Sequence, residues 1–469
     1  MRRCLALALL VMMMASCAMG PDYERPTLPT PESFRMAGKE GHAGESMANL
    51  PWWELLQDET LHKLIRVALE ENKDLQRAVA SVEEYQARLL IARTDFAPQG
   101  TVDANAPALG RLKGARIPGF PTAFSYSGQG HLAWELDFWG RARRSTEAAR
   151  ADFLAQEENR RAVVLQLVAG VAQSYFDLRQ LDQQWDIAKR TAQSWEESAR
   201  IAQARLRQGV ISRLDADQFE AERANAQARA IEMERHILHK EHELSVLMGK
   251  NPMPIPRGRI LAEQAMPPDV PAGLPSALLQ RRPDILLAEQ SLVAATARIG
   301  VAKAERFPTI TLTGLLGVAS PQLSSLGSSE YGVAGVGLAG PLLNVQALGF
   351  QQEAVEAQAR QALAQYQQTI LVAFQEVEDA LVAVRTAREQ GQAQEAQVTA
   401  LTSALRLADL RYTSGIANYL DVLTARRTLF EAELARTATR RLHLVSIVQL
   451  YRALGGGWNE RLPSRPTSG

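Results

Sequence analysis

The amino-acid sequence predicts a mostly helical α+β protein that is built twice from one plan. Three features predict this fold class: long alanine-rich stretches with helical periodicity, two regions in which apolar and polar residues alternate, and one motif that occurs twice. The chain has 469 residues, of which 46% are hydrophobic and 22% charged, and its formal net charge is zero. This composition is typical of a folded protein and gives no sign of a nucleic-acid-binding surface.

The N-terminus has the features of an export signal. Two arginines precede an apolar run over residues 5–14, which is too short to span a bilayer. Small residues then precede Cys17, as in the bacterial lipobox, so we expect a lipoprotein signal peptide over 1–16 and acylation of Cys17. An ordinary signal peptide with an incidental cysteine is the alternative. Met19 stands where an aspartate would favour the inner membrane, so an outer-membrane address is expected, and a proline-rich leader over 17–59 follows.

Residues 60–250 predict one helix, two strands and a long helical hairpin. Apolar residues recur at helical spacing from Leu61 until Pro98 ends that helix. Between residues 99 and 139 the period changes to two, and an apolar, aromatic face alternates with an acidic one, most clearly over 132–138. A barrel strand between lipid and water alternates in this way, and so does a strand of a soluble sheet that packs on helices.

The hairpin begins with one helical pattern over residues 142–208. At 1.5 Å per residue, this helix would be about 100 Å long. Gly209 then predicts a left-handed helix cap, and Ser212 can cap the returning helix, which reaches Gly249. A tight tip therefore joins the two helices, and Asp215 follows directly after its bend.

The second half of the chain repeats this order. After a proline-rich linker over 251–281, residues 282–456 predict a helix, two strand-like stretches joined by a Ser/Gly-rich loop, and a second long helical hairpin. Such an order indicates an internal duplication. Residues 457–469 are predicted to form a flexible tail.

The tip of the second hairpin repeats the tip of the first. The sequence over 411–421 matches that over 205–215, with arginine, glycine, leucine and aspartate at the same steps. Gly415 therefore corresponds to the glycine of the first tip, and Asp421 corresponds to Asp215. Two tips in each chain, each with an aspartate, predict a ring of carboxylates once several chains assemble.

The sequence shows no constellation of catalytic residues, no phosphate-binding loop and no cofactor site. Residues 335–340 match a dinucleotide fingerprint letter for letter, but Pro341 follows them and no strand–turn–helix unit surrounds them. Three histidines, His236, His239 and His242, would fan around a helix instead of converging on a metal ion. We therefore expect no enzyme activity, no cofactor and no bound metal.

In combination, several of these motifs resemble the outer-membrane factor family of tripartite efflux pumps, in the lipoprotein branch associated with resistance-nodulation-division systems. The resemblance runs from Cys17 to Gly455. It rests on Cys17 with Gly20-Pro21-Asp22-Tyr23, on Trp52-Trp53, on Ala68-Leu69 with Asn72, Asp74 and Leu75, on Arg282-Pro283-Asp284-Ile285, on Ala288-Glu289, on Phe307-Pro308, and on Tyr412, Gly415 and Tyr419-Leu420-Asp421-Val422-Leu423.

This resemblance implies a homotrimer in which a twelve-stranded outer-membrane β-barrel continues into a twelve-helix periplasmic α-barrel. It implies a lipid-anchored outer-membrane protein that extends into the periplasm. Its partners would be a periplasmic adaptor and an inner-membrane pump, and its cargo would be small molecules such as drugs and toxic compounds. The strand count agrees, because four strands cannot close a barrel and open sheet edges are not tolerated in lipid.

The resemblance also implies a periplasmic gate at the hairpin tips, where Gly209 and Gly415 form the turns. Asp215 and Asp421 match carboxylates that line the constriction of the family. Tyr412 matches a tyrosine that hydrogen-bonds toward the first of these aspartates and helps to hold the tip closed.

Two further residues match the gate of the lipoprotein branch: Leu420 matches a hydrophobic plug, and Arg427 a basic partner. Ala417 and Thr424 depart from the family pattern, which often has a basic and an acidic residue there, so this gate would have fewer polar ties. An acidic residue after a helix start also stabilises the helix dipole, which is the alternative explanation for both aspartates.

Two other functions remain open from the sequence. A channel for one-step protein secretion shares this fold, and its barrel cannot be distinguished at this level. A periplasmic coiled-coil scaffold lipoprotein without a pore would also contain long helical hairpins. The acyl anchor and the Arg282-Pro283-Asp284 motif favour small-molecule efflux.

Overall fold

The computed structural model describes residues 18–27, 29–31, 33–35, 52–106, 126–266, 275–320, 323–328, 330–417 and 419–456. The predicted signal peptide over 1–16, Cys17 and the predicted tail over 457–469 lie outside these residues, as does Asn418 in the second tip.

The described residues form helices and four strands in the predicted order. In chain order these are α1 (Trp52–Leu55), α2 (Glu59–Glu71), α3 (Lys73–Thr94), β1 (Gln99–Asn105), β2 (Tyr126–Leu136), α4 (Arg141–Arg207), α5 (Arg213–Leu247), α6 (Pro275–Arg281), α7 (Pro283–Ala304), β3 (Thr309–Ser320), β4 (Glu330–Ala339), α8 (Val345–Thr413) and α9 (Tyr419–Ala453). The two very long helices are confirmed, with 67 residues in α4 and 69 in α8.

The prediction of one helix from Leu61 to Pro98 is wrong, because Asn72 interrupts the helical conformation and separates α2 from α3. The Asn72 backbone is extended, with φ −60° and ψ 131°. Its side-chain oxygen accepts a hydrogen bond from the Leu75 amide at 2.9 Å, and its side-chain nitrogen donates to the Leu247 carbonyl at 2.9 Å. A buried asparagine thus starts α3 and also satisfies the end of α5.

The second half breaks at the corresponding point, where Arg282 separates α6 from α7. Its guanidinium is buried and donates to the Ala453 carbonyl at the end of α9, at 3.0 Å. It also forms ion pairs with Asp284 at 2.6 Å and Glu376 at 2.7 Å. Arg282, which belongs to a motif quoted above only for its family resemblance, therefore connects α7, α8 and α9.

The four strands form one antiparallel sheet in the order β1-β2-β3-β4. The central pair joins the two halves of the chain, and its register runs from Tyr126↔Ser320 to Leu136↔Ile310. Strands β1 and β4 are the sheet edges, and among the described residues each has a neighbouring strand on one side only.

The register separates an apolar from a polar face of the sheet. Trp134, Leu312 and Val336 lie opposite one another across three strands, and so do Leu136, Ile310 and Leu338. The alternate positions form the other face, which is mainly polar and includes Asp103, Gln129, His131, Glu135, Thr309, Thr311 and Thr313. The alternation predicted over 132–138 therefore extends across the whole sheet.

The chain divides into two compact units. The first contains residues 1–28, 80–157 and 287–368 and includes the sheet, and the second contains residues 29–79, 158–286 and 369–469. The core of the second unit is a continuous cluster of aliphatic and aromatic side chains, whose fully buried members include Tyr175, Phe176, Leu61, Ile65, Leu244 and Leu454.

A buried carboxylate organises the polar part of the second unit. Asp58 accepts hydrogen bonds from the Tyr175 hydroxyl at 2.9 Å, the Gln264 amide group at 2.7 Å and the Thr60 backbone amide at 2.9 Å. Burial alone would raise the pKa of Asp58, but these hydrogen bonds outweigh burial and lower it. One side chain thus caps α2 and fixes part of the linker between the halves.

Candidate functional site

Both tip glycines end a long helix in the left-handed conformation. Gly209 has φ 73° and Gly415 has φ 71°. In the first tip the Gly209 amide donates to Leu206 at 2.9 Å and the next amide donates to Arg205 at 3.0 Å; the second tip repeats both bonds at 3.0 and 2.9 Å. This paired pattern is a Schellman motif, which favours glycine because of its positive φ. A Cβ at either position would meet nothing within 4 Å, so crowding is not the reason.

Asp215 takes part in the start of its own helix. The Ser212 hydroxyl accepts a hydrogen bond from the Asp215 amide at 3.2 Å, and the Asp215 carboxylate accepts one from the Ser212 amide at 3.1 Å. This reciprocal capping box stabilises the first turn of α5. Asp215 therefore stabilises the start of its own helix, which is the alternative role that the sequence left open for it.

Asp421 occupies the equivalent position in α9, and it is exposed in this chain. The residue that corresponds to Ser212 in the second tip is Asn418, which lies outside the described residues. Both tips place an aspartate at the third position of the returning helix.

Tyr412 binds an arginine of the first hairpin. Its hydroxyl accepts a hydrogen bond from Arg205 Nη1 at 2.9 Å, and the same guanidinium lies over the ring with its carbon 5.5 Å from the ring centre. The resemblance implied a hydrogen bond toward Asp215 instead. Among the residues that the structure describes, Asp215 is bound to Ser212 and Tyr412 to Arg205. The tyrosine therefore does join the two hairpins, but through a cation.

Four aromatic rings lie together at the tips, and we call Trp195, Phe219, Tyr412 and Tyr419 the tip aromatic cluster. Phe219 stacks on Tyr419 with 3.8 Å between ring centres. Trp195 meets the edge of Phe219 at 6.5 Å, and Tyr412 meets Tyr419 at 5.3 Å. Each ring comes from a different one of the helices α4, α5, α8 and α9, so the cluster joins both hairpins.

The hydroxyl of Tyr419 is buried within this cluster. Only 7% of the residue is exposed, and its oxygen has no hydrogen-bond partner among the described residues. Burial raises the pKa of Tyr419, so the phenol stays protonated at any physiological pH. Such a hydroxyl destabilises the buried arrangement of this side chain, because it loses its hydrogen bond to water and gains none in return.

Two consecutive arginines of α9 point to different partners. The Arg426 guanidinium lies 5.3 Å from the centre of the Trp195 ring and donates to the Ser198 hydroxyl at 2.7 Å. Arg427 is mostly exposed and lies 3.8 Å from Glu222 on α5. The family resemblance points to Arg427, whereas Arg426 is the arginine that contacts the cluster.

Leu420 completes the set of predicted gate residues. Its side chain is about half exposed, at 54%, and Ile416 beside it is more exposed, at 72%. Four residues of the tips were not predicted from the sequence, because aromatic residues at helical spacing also suit an ordinary core: Trp195, Phe219, Arg205 and Arg426.

Known proteins resemble this chain over nearly its whole length. A family model described as "Outer membrane efflux protein" matches residues 64–250 and again residues 274–456. The chain belongs to this family. The two matches also show the internal duplication, and the protein is therefore an efflux channel of the outer membrane.

Named relatives of the efflux protein agree with this assignment. It is 34% identical to the probable efflux pump outer membrane protein TtgC of Pseudomonas putida, over 97% of this chain and 96% of the relative. It is 31% identical to the cation efflux system protein CusC of Escherichia coli K12, over 97% and 98% of the two chains. It is 34% identical to the outer membrane protein OprJ of Pseudomonas aeruginosa, over 96% and 95%.

Solved structures show the same fold. A CusC crystal structure superposes with a TM-score of 0.83 at 31% identity, covering 94% of the efflux protein and 100% of that chain. The open state of the Neisseria gonorrhoeae MtrE outer membrane channel superposes with a TM-score of 0.84 at 31% identity, covering 94% and 99%.

Proposed function

We propose that three copies of the efflux protein form one export duct, because a single copy has an incomplete sheet. Within the part of the chain that the structure describes, strands β1 and β4 each leave one side unpaired. Unpaired backbone groups are too costly in lipid, so the β4 edge of one copy would pair with the β1 edge of the next. Three copies give twelve strands, an even number that suits a bacterial barrel. The same three copies would supply twelve long helices for a periplasmic tunnel.

The two faces of the sheet support this assembly. The face with Trp134, Leu312 and Val336 would contact lipid, and the face with Glu135 and Thr311 would line the water-filled interior. Val336 is 72% exposed in the single chain, as expected for a side chain that lipid covers. A sheet packed on a helical core would instead bury its apolar face.

We further propose that the tips form the periplasmic gate. Asp421, which is exposed in one chain, would meet its copies around the axis, with Leu420 as an apolar plug beside it. Tyr412 and Arg427 would hold the two hairpins of each copy in place, and Asp215 would fix the start of α5. Gly209 and Gly415 would be the turns about which the hairpins move between two arrangements.

The gate proposal is tested by conductance in planar bilayers. Replacing Tyr412 with Phe together with Asp421→Ala should raise single-channel conductance of the purified trimer. Asp217→Ala is the matched control, because this aspartate is exposed on α5 and only 3.6 Å from Arg213 in a surface ion pair. Equal conductance of the double variant and the control would refute the gating role. A native mass spectrum of the purified protein that shows only single chains would refute the trimer.

The proposed cargo follows from the efflux family. A periplasmic adaptor would join the channel to an inner-membrane pump, which would supply the energy. We propose export of toxic small molecules. The names of the relatives cover two chemical classes, since TtgC of one Pseudomonas putida strain is a toluene efflux protein and CusC belongs to a cation efflux system. A deletion strain should become sensitive to one class. Susceptibility to organic solvents and antibiotics on one side, and to metal-cation salts on the other, distinguishes them.

We also propose that Cys17 is the acylated N-terminal residue of the mature protein, in the outer membrane. A relative from Salmonella typhimurium, 32% identical, is named a probable outer membrane lipoprotein. Mass spectrometry of the mature N-terminal peptide should show an acylated Cys17 and no residue before it. A mature chain that begins at any other residue would refute this.

A further inference from the structure

The residues after Cys17 are bound tightly to the first unit. Ala18 to Pro26, which we call the strap, precede every helix of the described chain. The Met19 amide donates to the Trp139 carbonyl at 3.0 Å, and Arg144 Nε donates to the Met19 carbonyl at 3.1 Å. Both backbone groups of one strap residue are therefore satisfied, one by Trp139 between β2 and α4 and the other by Arg144 in the first turn of α4.

Three glycines allow the strap to approach this closely. A Cβ on Gly300 of α7 would lie 2.5 Å from the Met19 oxygen, and a Cβ on Gly20 would lie 2.5 Å from the Gly300 Cα. A Cβ on Gly140 would lie 2.8 Å from the Ala18 Cα. Real Cβ atoms do not approach so closely, so side chains at these positions would push the strap away. Gly20 and Gly140 also have positive φ, of 93° and 79°.

Buried charge fixes the rest of the strap. The Arg144 side chain is only 6% exposed and forms an ion pair with Asp22 at 2.6 Å. Glu289 of α7 is buried and accepts hydrogen bonds from the Tyr23 hydroxyl at 3.0 Å and from Arg25 at 2.6 Å. The segments Asp22-Tyr23 and Ala288-Glu289, which the resemblance singled out separately, therefore bind each other.

The strap begins at the end of the sheet. Trp139 follows β2 and stacks on Phe307, which precedes β3, with 4.7 Å between ring centres. The indole nitrogen of Trp139 donates to the Pro308 carbonyl at 2.7 Å. An aromatic pair beside the strand ends is typical of the boundary between lipid and water in membrane barrels.

We propose that the strap is a docking element that sets where the acylated N-terminus enters the membrane, beside Trp139 and Phe307. This inference rests on the proposed acylation of Cys17. One peptide bond separates that residue from Ala18, which packs against Gly140, and consecutive Cα atoms are about 3.8 Å apart, so the docking of Ala18 limits where the attached acyl chains can start. A flexible tether would let the acyl chains enter the leaflet anywhere around the protein.

Photo-crosslinking tests the docking directly. Cells that express the full-length protein are fed a diazirine fatty acid, irradiated, and the crosslinked peptides of the purified protein are mapped. Wild type should give crosslinks concentrated in the peptides that contain Trp139 and Phe307. Gly300→Ala should disperse them. Gly349→Ala is the matched control, because Gly349 also lies in a helix of the first unit and its Cβ would meet nothing within 4 Å.

A second variant and a second measurement cover the case in which Gly300→Ala does not fold. Glu289→Gln keeps the glycine contacts but removes the charge that binds Arg25. Hydrogen exchange of the strap amides should accelerate about tenfold or more in either variant, and remain at the wild-type rate in Gly349→Ala.

The outcomes separate this inference from the acylation on which it rests. Protein without any incorporated probe would show that Cys17 is not acylated, and would refute both the acylation and the docking inference. Probe that is incorporated but crosslinks evenly around the sheet would overturn the docking alone. Strap amides that exchange as fast in wild type as in the two variants would overturn it as well.

Discussion

Two tyrosines of the tip aromatic cluster should respond in opposite ways to the loss of a hydroxyl. Tyr412→Phe removes a hydrogen bond from the charged Arg205, whereas Tyr419→Phe removes a buried hydroxyl that has no partner among the described residues. The first change should destabilise the observed arrangement of the tips, and the second should stabilise it. The rings and their packing remain in both variants.

The magnitudes follow from the environment of each hydroxyl. A hydrogen bond to a charged group contributes about 1.5–3 kcal/mol, and the partial exposure of Tyr412 reduces this to about 1 kcal/mol. An unpaired buried hydroxyl costs about 1–3 kcal/mol, so its removal from Tyr419 should gain about 1 kcal/mol. The two variants should therefore differ by about 2 kcal/mol, or about 30-fold in the equilibrium for opening of the tips.

Hydrogen exchange of the tip amides measures this equilibrium in the intact protein. Relative to wild type, exchange over 205–219 should be faster in Tyr412→Phe and slower in Tyr419→Phe. Tyr85→Phe in α3 is the control, because this tyrosine lies outside the cluster. Shifts of the same sign in both tip variants would show that the two hydroxyls do not have the opposite roles that the geometry gives them.

Three further predictions concern the rest of the chain. Asp58→Asn should lower thermal stability at neutral pH, and wild type should lose the same stability in acid: the pKa of Asp58 is lowered on folding, so its contribution is present above the ordinary value of 3.8 and disappears as the pH falls below it. Arg282→Met should destabilise the protein by about 1–3 kcal/mol in denaturant unfolding, since it leaves the Ala453 carbonyl without this buried hydrogen bond, whereas Glu376 is one-third exposed and keeps Arg452 at 3.6 Å. Val336→Lys should reduce insertion into vesicles, at a cost of about 2–4 kcal/mol near the middle of the membrane, whereas Thr311→Lys on the polar face should insert normally. Equal insertion of the two lysine variants would contradict the assignment of the faces.

The sequence predicted what repeats along the chain and missed what depends on distant partners. Long helices, alternating strands and both tip glycines follow from local periodicity and from the conformational freedom of glycine, so the sequence alone predicts them. The interruption of the helix at Asn72 was missed because helical spacing continues through it, and only the contact with Leu247 shows why the helix ends there. Similarly, the Tyr412–Arg205 contact joins residues that are 207 positions apart, and no local pattern indicates it.

The tip aromatic cluster limits how the proposed gate can open. Because Phe219 and Tyr419 belong to different hairpins, the two hairpins of one copy cannot separate without breaking the stack between these rings. An aromatic pair contributes about 0.5–1.5 kcal/mol beyond its buried area, so this one contact holds the hairpins together by about that amount. A partner that opens the gate by parting these hairpins must bind the open arrangement more tightly by at least this amount, a preference of about 2- to 10-fold. A partner that moves both hairpins of a copy as one body leaves the cluster intact and avoids this cost. The two routes differ in one observable: only the first makes the opening equilibrium sensitive to Phe219→Ala.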